Sequence, residues 1–140
     1  RSRYEILMEE YVKTIHIEAR TMIDMAHKLI LPATSAQIKA WSDTVCSKRQ
    51  VSASINTTYE EKVVARASEL QAQAAESLEK LEDAVKAAEK MDYEEAAAYY
   101  RDVILTAMDT LRSSCDELET MTSPEYWPFP TYGKLLFGIL

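Results

Sequence analysis

Apolar residues recur at three- and four-residue steps along most of this chain, the spacing that gathers them on one face of a helix. Over residues 3–49 the series Tyr4, Met8, Tyr11, Ile15, Met22, Met25/Ala26, Leu29, Ala33 and Ala36 predicts one long helix. Pro32 falls inside it. A proline has no N–H and crowds the preceding turn, so a kink at Lys28–Leu31 or a break into two helices is expected. The small polar run 50–57, QVSASINT, reads as the first loop. A second helix, about 58–90, carries Val63, Ala67, Leu70, Ala74, Leu78, Leu81, Val85 and Ala88. Thr57-x-x-Glu60 at its start has the form of a capping box. Glu60 and Glu61 open it and Lys86 and Lys90 close it, which suits the helix dipole. Glu76–Lys80 and Glu82–Lys86 are favourable pairs on its wet face, worth ~0.2–0.5 kcal/mol each.

The third helix, about 93–122, has Asp92 as N-cap with Glu95 three residues on. Its stripe is Tyr100, Val103, Ala107, Leu111, Ser114, Leu118 and Met121, and Pro124 ends it. Alanines and serines in the stripes allow close approach. The expected fold is all-α: an antiparallel, up-down-up three-helix bundle over residues 1–123, with a long, Pro-kinked first helix. Glycine supports this, because its two occurrences, Gly133 and Gly138, leave none for hairpin turns before residue 133.

The pattern changes at residue 124. The stretch Pro124-Glu-Tyr-Trp-Pro-Phe-Pro-Thr-Tyr-Gly133 concentrates prolines and aromatics, and each proline pushes its predecessor to extended geometry. Residues 124–140 are therefore expected to form an extended C-terminal arm, with Tyr126, Trp127, Phe129, Tyr132 and Phe137 as structural anchors. Its 17 residues could reach ~55–60 Å. The arm could strap its own bundle, reach a neighbouring subunit, or serve as a ligand for an aromatic groove. At the other end, a second helix of ~50 Å can pair with the first only back to about residue 20. Tyr4, Leu7, Met8, Tyr11, Val12 and Ile15 are then expected to project as an apolar patch.

Charge narrows the function classes. A net charge of −7 and a pI near 4.9 speak against binding nucleic acid or an anionic membrane. No apolar run approaches the ~20 residues of a membrane span, and Arg1-Ser2-Arg3 does not open a signal peptide. Two cysteines make neither a disulfide framework nor a metal knuckle, so a reducing, cytoplasmic setting is expected. The chain begins without methionine and already inside a helical pattern, and is expected to be a piece of a longer protein.

Candidate chemistry is thin. Asp24-x-x-His27 puts a carboxylate and an imidazole on one face, and His16 stands three turns away. Di-metal bundles need a second such pair and two more glutamates, and none is present. Cys46 and Cys115 read as small buried fillers rather than reactive thiols. Glu9-Glu10, Glu60-Glu61 and Glu94-Glu95 are adjacent acids, which point about 100° apart and do not converge as an acid/base couple. They read as solvated faces and helix starts. Tyr99 and Tyr100 should divide between rim and core. No catalytic, cofactor-binding or metal residue is assigned.

Three stretches, RYEILMEEYVKTIHIEARTMIDMA (3–26), YYRDVILTAMDTLRSSCDELE (99–119) and above all EYWPFPTYGKLLF (125–137), resemble the C-terminal region of type III glutamine synthetases. The resemblance spans the chain, although residues 33–95 match only in pattern. His16 and Lys134 depart from it, where asparagine and an acid are expected. The resemblance implies a parent enzyme that joins glutamate and ammonia using ATP and magnesium, built from stacked hexameric rings. It also implies that the metal, nucleotide and substrate residues lie upstream. This region would then be a non-catalytic helical domain that supports assembly, its partners being the catalytic domain of the same chain and neighbouring subunits of a homo-oligomer. The alternative is a free-standing helical protein-interaction module, for which residues 3–122 would be enough.

Overall fold

The computed structural model describes residues 2–129. Three helical rods account for most of them, and no strand occurs among the described residues. The first rod comprises the α-helix Arg3–Met25, a π-helical turn Ala26–Ile30 and the α-helix Leu31–Val51. The second is Thr58–Ala88. The third comprises Tyr93–Tyr99, a second π-helical turn Tyr100–Ile104 and Leu105–Met121.

The backbone does not break at Pro32. Leu31 keeps helical dihedrals, φ −62° and ψ −43°, and its N–H reaches back five residues to the Ala26 carbonyl. The wide turn lies directly before the proline. A π turn gives the chain extra room where the ring would crowd the carbonyl of Lys28, so the helix absorbs the proline instead of ending.

Each π turn inserts one residue into the apolar repeat, and this corrects the stripes expected for the outer rods. In the third rod the buried series is Tyr100, Ile104, Met108, Leu111, Cys115 and Leu118, while Val103 is exposed. In the first rod the core is entered by Val12, Ala19, Ile23, Ala26 and Ala33, with Thr34 and Gln37 buried beside them. Tyr4, Tyr11 and Leu29, expected in the stripe, are exposed. Val12 was expected to project and is instead covered. The second rod has no π turn, and Ala67, Leu70, Ala74, Leu78, Leu81, Val85 and Ala88 are buried as its spacing predicts. Leu78, Leu81, Ile104, Leu111 and Leu118 are at most 2% exposed. Each side chain of this size contributes about 1.5–3 kcal/mol on burial.

Polar links tie the rods at specific levels. Lys48 binds Glu60, Gln71 donates to the Thr34 hydroxyl, and His27 meets Glu82 between the first and second rods. Arg66 grips Glu117 with two hydrogen bonds of 2.8 Å between the second and third. His16 Nδ1 and the Tyr100 hydroxyl stand 2.8 Å apart between the first and third.

Two capping details differ. Asp92 caps the third rod as expected, accepting the Glu95 N–H at 2.8 Å. The Thr57 box does not form: the Thr57 hydroxyl donates to Glu61, Glu60 turns to Lys48, and Asn56 accepts the Thr58 N–H. A cation across the loop outcompetes the backbone amide for the Glu60 carboxylate, because a charge-assisted bond is the stronger one.

Candidate functional site

A cleft of about 600 Å³ runs along the seam between the first and third rods. Met22, Met25, Ala26 and Ile30 form one wall, and Met108, Leu111 and Cys115 the other. Ala26 and Ile30 are the ends of the first π turn, so the widened helix shapes this wall. Glu18, Asp116 and Glu119 rim the cleft with a single opposing cation, Arg112.

The start of the arm enters this cleft. Thr122 leaves the helix with extended dihedrals, φ −91° and ψ 130°. The Ser123 N–H donates to the Gln37 carboxamide oxygen at 2.7 Å, and the Tyr126 and Trp127 amides both fold back onto the Ser123 carbonyl. That turn delivers Trp127 and Phe129 to the cleft, with their rings 6.1 Å apart and edge to face. Trp127 is buried, at 8% exposure; Tyr126 and Phe129 are half-buried. The Trp127 indole N–H is buried without an acceptor among the described residues. The other two expected anchors, Tyr132 and Phe137, lie outside the described residues.

A second apolar feature lies at the start of the first rod. Tyr4, Ile6, Leu7 and Tyr11 are exposed there, and Ile17 continues the surface at 64% exposure. Ile15 is half-buried, so the projecting patch is shorter than its sequence implies.

Several titratable groups are engaged in structural pairs. Lys48 Nζ holds both Glu60 oxygens, at 2.8 and 2.9 Å, and this lowers the Glu60 pKa below its ordinary value. Glu60 is buried, which corrects its reading as a solvated acid. Lys48/Arg49 precede Glu60/Glu61 by 12 positions, bracketing a short loop; that spacing was a legible signal of the clasp. Gln37, Thr34 and Gln71 were missed, because a polar residue on an apolar face reveals its partner only in three dimensions. Glu82 takes His27 rather than Lys86, while Glu76 pairs with Lys80 as expected.

His27 turns to Glu82 and His16 to Tyr100, and no group of three or more metal-capable side chains occurs among the described residues. Burial, helped by Asp116, pushes the Cys115 thiol up to about 11, as fits a core filler. Cys46 is exposed, contrary to its reading as buried. Tyr99 is half-buried and Tyr100 buried, the expected division. Burial also raises the Tyr100 pKa. No helix of the described residues is long and apolar enough to cross a membrane.

A family model described as the glutamine synthetase C-terminal domain matches residues 1–49. Along 139 residues the chain is 36% identical to the glutamine synthetase of Butyrivibrio fibrisolvens, a match that covers 99% of the chain. The chain is homologous to the glutamine synthetase C-terminal domain. A type-3 glutamine synthetase of Dictyostelium discoideum is 30% identical over 142 residues, covering 97% of the chain. The glutamine synthetase of Bacteroides fragilis is 23% identical over 140 residues, covering 96%. This glutamine synthetase homologue spans only 20%, 19% and 19% of those three proteins. Ligase chemistry and glutamine biosynthesis belong to the family as a whole, whereas the geometry here consists of packing surfaces and clasps.

Proposed function

We propose that this chain is a non-catalytic helical domain of a larger glutamine synthetase, supporting assembly and subunit packing. The single observation that carries the proposal is 36% identity spread over 99% of the chain to an enzyme of whose length the match spans 20%. In this reading another part of the parent joins ammonia to glutamate with ATP and magnesium. The domain packs on the catalytic domain of its own chain and on neighbouring subunits of a cytoplasmic homo-oligomer. The exposed Tyr4, Leu7 and Tyr11 support this, because apolar patches of that kind mark interaction sites.

Residues 1–123 form the domain in an up-down-up antiparallel order, bent at the π turn before Pro32, and residues 124–140 are its arm. The antiparallel order of the first two rods is supported by their pairings. From Lys48–Glu60 through Thr34–Gln71 to His27–Glu82, first-rod numbers fall as second-rod numbers rise. His16–Tyr100 and Gln37–Ser123 rise together, in support of parallel outer rods. Tyr126, Trp127 and Phe129 anchor the arm; the other two expected anchors, Tyr132 and Phe137, lie outside the described residues.

The test is Tyr4→Glu with Leu7→Glu in the parent enzyme. Sizing is expected to show loss of assembly while the helical content of the domain is retained. Unchanged assembly and activity would overturn the reading. The isolated 140-residue chain is expected to bind no ATP, and a saturable, metal-dependent nucleotide titration would contradict that.

A further inference from the structure

We infer that the cleft between the first and third rods docks a basic, amphipathic helix of a partner protein. The inference stands apart from the assembly reading, which rests on the start of the first rod.

Three observations lead there. The first is shape. Tyr93–Tyr99 packs on the first rod and His16 meets Tyr100, but Leu105–Met121 lies against the second rod and makes few close approaches to the first. The outer rods therefore part, and the cleft of about 600 Å³ lies between them. Its first-rod wall runs from Ile17 to Ile30, roughly 20 Å of helix, and a helix of about 13 residues laid alongside would cover it. Such a helix seats apolar anchors at i, i+3, i+4 and i+7 spacing, and the methionine walls adapt to their shape.

The second is charge. Glu18, Asp116 and Glu119 are exposed on the rim, and none has a cation partner among the described residues. Arg112, the cation among the lining residues, is already held by Asp109 at 3.0 Å. Lysines or arginines flanking the apolar face of the docked helix meet these acids, and the chain's net charge of −7 speeds their approach.

The third is direction. The Trp127 indole N–H is buried with no acceptor among the described residues, and buried donors of that kind are normally paired. The Trp127 amide is bonded to the Ser123 carbonyl and Ser123 is held by Gln37, so the indole stands at the Ile30 end of the cleft. The last carbonyls of a helix have no intrahelical partner. A docked helix running parallel to the first rod presents one of them to the indole. Its basic last turn then faces Asp116 and Glu119, the favourable sense for a helix dipole.

The experiment uses the 140-residue chain and a fluorescein-labelled peptide of about 14 residues, with leucines on one helical face and lysines flanking it. Fluorescence anisotropy is expected to show saturable binding. Glu18→Lys with Asp116→Lys and Glu119→Lys should weaken it about tenfold or more, and Met22→Ser about threefold or more. Glu76→Lys with Glu79→Lys and Asp83→Lys makes the same change in net charge on the second rod, and should shift binding less than about twofold. Circular dichroism checks that every variant remains helical. Equal losses from the two charge reversals would reduce the binding to general attraction and overturn the inference. So would the absence of saturable binding, an unaffected Met22→Ser chain, or equal binding of a peptide of the same composition without an apolar face. A peptide-free chain that sediments as a dimer, and loses the dimer on Met22→Ser, would overturn it in favour of a second copy.

Discussion

Gln37 reaches from the first rod to accept the backbone N–H of Ser123 at 2.7 Å, fixing the point where the third helix ends and the arm begins. The contact joins residues 86 positions apart, and the Gln37 side chain is buried. It satisfies an amide that would otherwise lie past a helix end with no intrahelical partner.

Gln37→Leu keeps the volume and removes the acceptor. Leaving a part-buried amide unpaired costs about 1–3 kcal/mol, and that loss is expected in urea unfolding followed by circular dichroism. A stability unchanged within about 0.5 kcal/mol would mean that water replaces Gln37 at no cost.

The register produced by the π turns can be tested by a pair of truncations. Leu81 is fully buried, and Leu81→Ala is expected to cost about 2–5 kcal/mol. Leu29 is 40% exposed although it falls on the simple apolar stripe, and Leu29→Ala should change stability by no more than about 0.5 kcal/mol. Equal losses at the two positions would restore the stripe read from the sequence.

Leu29 marks where the sequence stops being legible. The three helices, their loops and the Asp92 cap follow from local rules, and the stripe positions Ala67, Leu70, Ala74, Leu78, Leu81, Val85 and Ala88 are buried as a regular helix dictates. A π turn is not a local composition signal. The first lies directly before Pro32, the second has no proline near it, and each one advances the buried face by a residue. This is why Ile104 is buried where Val103 was expected. Bulk misleads too: Tyr4 and Tyr11 are larger than Ala19, yet the close rod contact selects the alanine. Past the third rod, Trp127 is buried, as its size and apolar ring favour. The Gln37 contact with Ser123 had no local signal.

The Lys48–Glu60 clasp carries a pH signature. Its folded pKa lies below the ordinary value of 4.5, so its stabilisation is complete above that value and is lost as pH falls through the lowered one. Glu60→Gln is therefore expected to lower the melting temperature at pH 7. The gap from the native chain should shrink below pH 4.5 and close once Glu60 is protonated in both folded and unfolded states. A gap that persists in acid would assign the effect to shape rather than charge.

Trp127 is where the fold and the arm depend on each other. The indole fills the end of the cleft and packs edge to face on Phe129, with ring centroids 6.1 Å apart. Trp127→Ala empties that space and is expected to cost about 3 kcal/mol, the low end for a buried aromatic because an arm can settle inward more readily than a core. Trp127→Phe keeps the aromatic contact and deletes the N–H that lacks an acceptor among the described residues. Trp127→Phe is therefore expected to cost well under half of what Trp127→Ala costs in urea unfolding, because most of the buried aromatic surface remains. Equal losses from the two changes would place the stabilisation in the indole alone.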